Sequence, residues 1–237
     1  MKPHLAISRP GATFSAEWLE GWEDLLLRLA PFYDLTIIPG FASQVCAVRA
    51  DHAQAALKLD PPCNFFMTID DDNPPSAFAA VQLLADLTAE PQAGLVAGWY
   101  FCDIPGIEQC LSFGRSFSVI GSTAVRRLPA DLEDFQNQSA PHVQEIDWTG
   151  FGMTVMRREL LAAVGPEAFL PVQEGTEADW GDSLLRGFIW DDMAFSKAAK
   201  QRGFRLFVDR RVKLKHLKFR ATIDLPNPSG GGTLDGK

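Results

Sequence analysis

Cysteine and tyrosine are scarce in this chain, and positive charge falls short of negative. The four cysteines, Cys46, Cys63, Cys102 and Cys110, show neither Cys-x-x-Cys spacing nor the density of a secreted disulfide scaffold. That argues against a structural zinc site and a disulfide framework, and for reduced thiols in a cytosolic setting. No apolar run approaches the roughly 18 to 20 residues that span a bilayer, and no positively charged start leads into an apolar stretch. The chain therefore reads as soluble, unexported and cytoplasmic, with no transmembrane segment. A formal charge of -8 argues against nucleic acid as a partner. One segment runs the other way: from Arg202 to Arg220 there are eight Lys or Arg against one Asp. Its main reading is the solvated face of the last strands, with an anionic acceptor, a diphosphate or a membrane surface as competitors.

What is present is ordinary for a globular protein: 237 residues, 46% hydrophobic and 22% charged, enough for one large domain or a domain with a subdomain. The N-terminal half alternates strand and helix signals. His4 to Ser8 is a strand. Ser15 caps a helix to Leu29, with Trp18, Leu19, Trp22, Leu25, Leu26 and Leu29 at helical spacing, and Asp34 to Pro39 is the next strand. A helix over 44–59 follows, with Val45, Val48, Ala53, Ala56 and Leu57 as its apolar positions. Phe65 to Ile69 is a buried strand, 76–87 a third helix, and 94–100 another strand. Three to four such β-α repeats predict a mostly parallel sheet with helices on both faces.

The middle loses this period, and residues 109–121 and 129–147 read as antiparallel strands and loops, a small insertion. Trp148 to Met156 returns to an apolar strand containing Gly150 and Gly152, followed by a short helix stopped by Gly165-Pro166. Asp191 to Arg202 is a helix with Met193, Phe195, Ala198 and Ala199 inside and Gly203 as its stop, and Phe204 to Val208 is a strand. Val212, Leu214 and His216 then alternate with Lys213, Lys215 and Leu217, which sets His216 on the apolar face. The Gly-, Pro- and Ser-rich end reads as a loose arm.

The stretch Phe65-Phe66-Met67-Thr68-Ile69-Asp70-Asp71-Asp72 carries the chemistry most plainly. An apolar strand delivers three carboxylates to a sheet edge, where ligands of open α/β sheets bind, and adjacent aspartates repel one another unless a cation or proton intervenes. A divalent metal is the simplest resident. Two further features fit the same sheet end: Asp191-Asp192 at a helix start, and His216 at a strand end.

Together these resemble the GT-A glycosyltransferases, family-2-like members of the nucleotide-diphospho-sugar transferase superfamily. Further segments match in order: Trp148-Thr149-Gly150-Phe151-Gly152 running through Arg157-Arg158, Trp190-Asp191-Asp192, and Gly203-Phe204-Arg205-Leu206-Phe207 before the His. The resemblance covers most of residues 1–220 and departs from the family at Asp191-Asp192, where Glu-Asp is usual. It implies a GT-A-like catalytic domain over 1–220, with a nucleotide-binding half (1–105), an acceptor-side half (106–220) and a flexible tail over 221–237. It implies Mn²⁺ or Mg²⁺ held by Asp70, Asp72 and His216, with Asp71 on the donor. Asp192 becomes the base that deprotonates an acceptor hydroxyl, with Asp191 beside it. Ser8, Arg9 and Pro10 would meet the base and ribose. Arg49, within an element that resembles Ala-Arg-Asn but has Asp51 for Asn, would reach the base, ribose or phosphate. The implied partners are a UDP- or GDP-linked sugar and a hydroxyl acceptor such as a glycan.

Each feature also has a plain structural reading. The aspartates suit a turn, Asp191 and Asp192 a helix cap, His216 a hydrogen-bonded core position, Arg49 a surface, and the glycines close packing. Trp99, Tyr100, Phe101, Trp148 and Trp180 suit either sugar stacking or the core. Two other functions compete: a nucleotide-sugar-binding protein without turnover, and a sugar nucleotidyltransferase, for which Ser8-Arg9-Pro10-Gly11-Ala12 is too poor in glycine.

Overall fold

Alternation along β1 (His4–Pro10) shows how the core divides. Leu5 and Ile7 enter one apolar cluster and Ala6 another, because successive strand side chains face opposite ways. The computed structural model describes residues 2–42, 44–104, 107–114, 135, 140–173 and 188–217. The expected tail over 221–237, Lys218, Arg220, Trp180 and residues 115–134 of the expected insertion lie outside these.

The first cluster is covered by α1 (Ala16–Leu29) and α3 (Ala77–Ala89). The second lies under α2 (Val45–Leu57), α4 (Arg158–Val164) and α5 (Asp191–Gln201). Helices therefore sit on both faces, as the β-α pattern predicts. Between them runs a seven-stranded sheet made of β1 with β2 (Asp34–Gly40), β3 (Phe65–Ile69), β4 (Ala93–Trp99), β8 (Val143–Ile146), β10 (Met153–Arg157) and β13 (Arg205–Lys213). The strand order is β2-β1-β3-β10-β4-β13-β8. β2, β1 and β3 are mutually parallel, as are β4 and β13, while β10 runs antiparallel to both β3 and β4, and β8 antiparallel to β13. Short antiparallel pairs complete the chain: β5 (Phe101–Ile104) with β6 (Ile107–Leu111), β7 (Phe113–Gly114) with β9 (Trp148–Thr149), and β11 (Val172–Gln173) with β12 (Phe188–Ile189). The whole is a mixed α/β, GT-A-like architecture.

Local chemistry accounts for the element ends. Ser15 Oγ accepts the Trp18 amide at 3.0 Å and Ser76 Oγ the Ala79 amide at 3.3 Å, each satisfying a donor that the first helical turn leaves open. Gly203 ends α5 at φ +82°, a left-handed conformation that costs glycine little. On α1, Trp18, Trp22, Leu25 and Leu29 form the buried stripe. Leu25 and Leu29 lose all exposure, and each such burial stabilises by roughly 1.5–3 kcal/mol.

Four expectations need correction. Leu19, placed inside by spacing, is exposed, because it lies one step round from that stripe. On α2 the expected apolar Val45 is also exposed, and the buried side includes Arg49 and His52 among Cys46, Val48, Ala53 and Ala56. The single strand expected over 148–156 is two strands in different sheets, parted at Gly150-Phe151-Gly152. The last strand does not stop at Val208: a register shift after that residue carries it to Lys213. The predicted alternation holds as far as Lys215, with Val212 and Leu214 buried and Lys213 and Lys215 exposed, whereas His216, expected at a strand end, lies past the end of the strand at Lys213 and is half-buried like Leu217.

Candidate functional site

The three parallel strands β2, β1 and β3 end on one edge of the sheet, and the loop after β3 carries Asp70, Asp71, Asp72 and Asn73. Four hydrogen bonds from three elements hold that loop. Trp18 Nε1 of α1 donates to the Asp70 carbonyl at 3.0 Å, and the Asp70 amide donates to the Gly152 carbonyl at 3.1 Å. Past the end of β13, the Leu217 amide donates to the Asp72 carbonyl at 2.6 Å. The buried Asn73 side chain, through Nδ2, donates to the Lys215 carbonyl, also at 2.6 Å. The loop is therefore fixed by α1, the Gly150–Gly152 connection and the segment that bears His216.

Arg49 is the electrostatic centre. It reaches from α2 with 6% of its surface exposed. Its Nη2 lies 2.6 and 2.7 Å from the two oxygens of Asp70, its Nη1 bonds Asp191 at the start of α5, and its guanidinium lies 5.1 Å from the Phe151 ring centre. Burial alone would lower its pKa, yet the Asp70 and Asp191 charges hold the guanidinium protonated above its ordinary range. The sequence makes Arg49 a donor contact; the structure commits its fork to two carboxylates, joining the aspartate loop to α5.

The other predicted residues fall into separate groups. Asp72 Oδ2 and His216 Nε2 are 3.1 Å apart, and His216 Nδ1 lies 3.1 Å from the Phe101 carbonyl, with the Tyr100 ring 4.9 Å away centre to centre. Both nitrogens of His216 thus face oxygen acceptors. Two ligands about 2.1–2.2 Å from one metal and at right angles are themselves about 3 Å apart, so this donor pair fits a divalent ion. A Phe101 carbonyl accepting from Nδ1 would leave Nε2 as the ligating nitrogen. Among the described residues no three His, Cys, Asp or Glu side chains converge as a set of metal ligands, and both oxygens of Asp70 are engaged by Arg49.

Asp191 and Asp192 open α5, where the helix dipole favours negative charge, and Met193 N donates to Asp192 Oδ1 at 2.8 Å. Burial, then the neighbouring Asp191, pushes the Asp192 carboxyl up to about 6. Burial also raises Asp70 against the pull of Arg49, and raises Asp71, where Asp72 and Asp70 add repulsion. On β1, Ser8 Oγ lies 2.8 Å from His52 Nδ1 in the core, and burial holds His52 below its ordinary pKa. Arg9 turns to the other face, its guanidinium 5.1 Å from the Phe14 ring centre and 5.7 Å from that of Trp22. Pro10 is buried, and Gly11 at φ +124° lets the loop pass Asp71: a Cβ there would stand 2.6 Å from Asp71 Oδ2.

The glycines of the 150–152 connection also permit close approach. A Cβ on Gly150 would meet the Tyr100 hydroxyl at 2.5 Å, and one on Gly152 would meet Asn73 Oδ1 and Tyr100 Cε1 at 2.5 Å. Trp99, Tyr100 and Trp148 are core residues.

Neither a family model nor a curated protein matches this sequence. Among solved structures, A197 from STIV aligns with 14% identity over 91% of this chain and 94% of its own, at a TM-score of 0.50. GalNAc-T7, solved with UDP, GalNAc and Mn²⁺, aligns with 12% identity over 97% of this chain at a TM-score of 0.51. The fold is glycosyltransferase-like. This chain spans 46% of the GalNAc-T7 chain, and at such identity the likeness is one of fold. No described helix is long and apolar enough to cross a membrane.

Sequence reasoning missed Asn73 as a member of the site, and it missed the Arg49 clamp; Tyr100, read as suiting sugar stacking or the core, is a core residue whose ring packs against His216. The Asn that follows the three aspartates was the available signal for the first; the clamp depends on packing between distant segments.

Proposed function

We propose that this protein is a metal-dependent glycosyltransferase that moves a sugar from a nucleoside-diphosphate donor, UDP- or GDP-linked, to a hydroxyl acceptor. The single observation carrying this reading is the convergence of the Asp72–His216 pair and the Asp191-Asp192 helix start around one loop, with Arg49 tying loop to helix.

Asp72 and His216 are the protein ligands for Mn²⁺ or Mg²⁺, and Asp70 is the third candidate, since a carboxylate keeps further lone pairs beyond those bonded to Arg49. When bound, the ion would act as a Lewis acid that neutralises charge on the departing diphosphate. Asp192 accepts the proton of the acceptor hydroxyl. A pKa near 6 suits that task at neutral pH, being high enough for basicity and low enough to leave the group ionised. Arg49 engages Asp191 beside it. The donor lies over the ends of β1 and β3, beside Asp71 and the turn at Pro10-Gly11, in the nucleotide-binding half (1–105), with the Ser8 hydroxyl turned into the core against His52, and the acceptor approaches from residues 106–220. Arg9, stacked on Phe14 and Trp22, shapes that wall from behind.

Thermal unfolding against UDP-, GDP-, CMP- and dTDP-sugars, with Mn²⁺ or with chelator, tests the reading, because a ligand of the native state raises apparent stability. A metal-dependent shift with one nucleotide supports it. No shift with any donor overturns it, and a shift without transfer to any acceptor favours a nucleotide-sugar-binding protein that does not turn over.

A further inference from the structure

We infer that Asp209, Arg211 and Asp86 are positioning residues for the proposed metal site: they close a bulge in β13 that decides which side of the sheet His216 reaches. This rests on the glycosyl-transfer reading and adds to it three residues outside the site. Val208 pairs with Ala97 and Lys213 with Trp99, so β13 advances five residues where β4 advances two. The excess is odd, and side chains alternate along a strand, so every position past it changes face. The packing records the change. Val208 joins Ala97 and Trp99 in the second cluster, whereas Val212 and Leu214, each an even number of residues further on, lie in the first. His216 follows them, with its ring against Tyr100 of that first cluster and its Nε2 facing Asp72. An unbroken strand would send Val212 and Leu214, and the chain to His216 with them, toward the opposite face.

The residues between Val208 and Lys213 have no register partner on β4, and side chains hold them instead. Asp209 loses all exposure, and its Oδ1 accepts the Arg211 amide at 2.9 Å and Arg211 Nε at 3.0 Å, which turns the chain on itself. Its Oδ2 accepts Arg211 Nη2 at 2.8 Å. The same Nη2 reaches both oxygens of Asp86 on α3, at 3.1 and 3.3 Å, and Gln82 Nε2 donates to Asp86 Oδ1 at 3.0 Å. Where the ladder resumes, the Trp99 indole N–H donates to the Arg210 carbonyl at 3.0 Å and the Leu214 amide to the Trp99 carbonyl at 2.8 Å. A buried carboxylate that bonds an amide of its own strand and a forked guanidinium favours one backbone path, because any other leaves it without water or counterion.

The ring nitrogen signals of the four histidines, with His216 assigned by its loss in His216→Gln, read the register with no metal present. Mn²⁺ titration and urea unfolding are recorded on the same variants. Asp209→Ala and Arg211→Met should move the His216 signals, leave those of His4 at the start of β1 in place, and weaken Mn²⁺ about tenfold. Asp209→Asn keeps an oxygen that accepts the Arg211 amide and should restore most of that loss. If Asp209→Ala does not fold, Arg211→Met, at the exposed end of the cluster, carries the same comparison. Lower stability with unmoved His216 signals and unchanged Mn²⁺ affinity would overturn the inference and leave the cluster an ion pair that only stabilises. Should the wild-type protein bind no Mn²⁺, the metal reading fails instead, and the His216 signals alone decide the positioning role: moved in Arg211→Met they uphold it, unmoved they end it.

Discussion

Arg49 bonds both oxygens of Asp70 through one nitrogen and reaches Asp191, 142 residues further along the chain, through another. Removing one partner of a buried ion pair strands the others without water or counterion, at a cost of about 3–5 kcal/mol. Arg49→Met should therefore lose stability on that scale in urea unfolding at pH 7. Arg49→Lys should fall between, since a point charge cannot serve two carboxylates in a fixed fork. A loss below about 1 kcal/mol for Arg49→Met would mean that the clamp opens readily.

Asp192 gives opposite signs for stability and activity. Its carboxyl is raised to about 6 by burial and by Asp191, from an ordinary value of 3.8. The folded protein therefore holds a proton that the unfolded chain has released between these values, and its contribution to stability falls as pH rises from about 4 through 6. Asp192→Asn should accordingly raise Tm relative to wild type at pH 7.5 and lose that advantage near pH 4. Turnover should require the ionised form, falling as pH drops below about 6, and Asp192→Asn should abolish it while donor binding survives. Lost donor binding in that variant would count against the base assignment.

The division between what was and was not legible follows from the range of each signal. Repeating β-α periodicity is local, so the strands β1 to β4, their helices, the Ser15 cap and the Gly203 stop can all be read from a few neighbouring residues. The aspartates at the end of β3 and the acidic start of α5 are legible for the same reason. The insertion of β10 between β3 and β4 is not, because Met153 to Arg157 shows only an apolar run, and its antiparallel placement depends on partners such as Thr68, whose hydroxyl lies 2.7 Å from that of Thr154. Nor is the burial of Arg49: on α2 a charged side chain is inside and Val45 outside, because two carboxylates from distant elements compensate it. Exposure of Trp190 against burial of Trp148 is likewise a property of the packed chain.

The Asp72–His216 pair predicts metal behaviour that separates its members from other surface acids. Mn²⁺ should raise Tm, and Asp72→Asn or His216→Ala should weaken Mn²⁺ at least about tenfold in a titration, whereas Asp24→Asn, in an exposed pair with Arg28, should leave it unchanged. Equal affinity in all three variants would place the ion elsewhere.

Two glycines distinguish crowding from backbone strain. At Gly203 an added Cβ meets nothing within 4 Å, so Gly203→Ala bears only the left-handed φ of +82°, about 1 kcal/mol. The site lies far along α5 from that position, and activity should persist. At Gly152 a Cβ would lie 2.5 Å from both Asn73 Oδ1 and Tyr100 Cε1, inside any real contact distance. Neither neighbour yields without consequence: Asn73 fastens the Lys215 carbonyl, and the Tyr100 ring packs against His216. Gly152→Ala should cost about 1–3 kcal/mol by overpacking and should also weaken Mn²⁺, because the displaced groups position the loop and the histidine. Urea unfolding of both variants with parallel Mn²⁺ titrations checks this; loss of stability without loss of metal affinity in Gly152→Ala would show that the loop and His216 hold their geometry independently of the glycine contact.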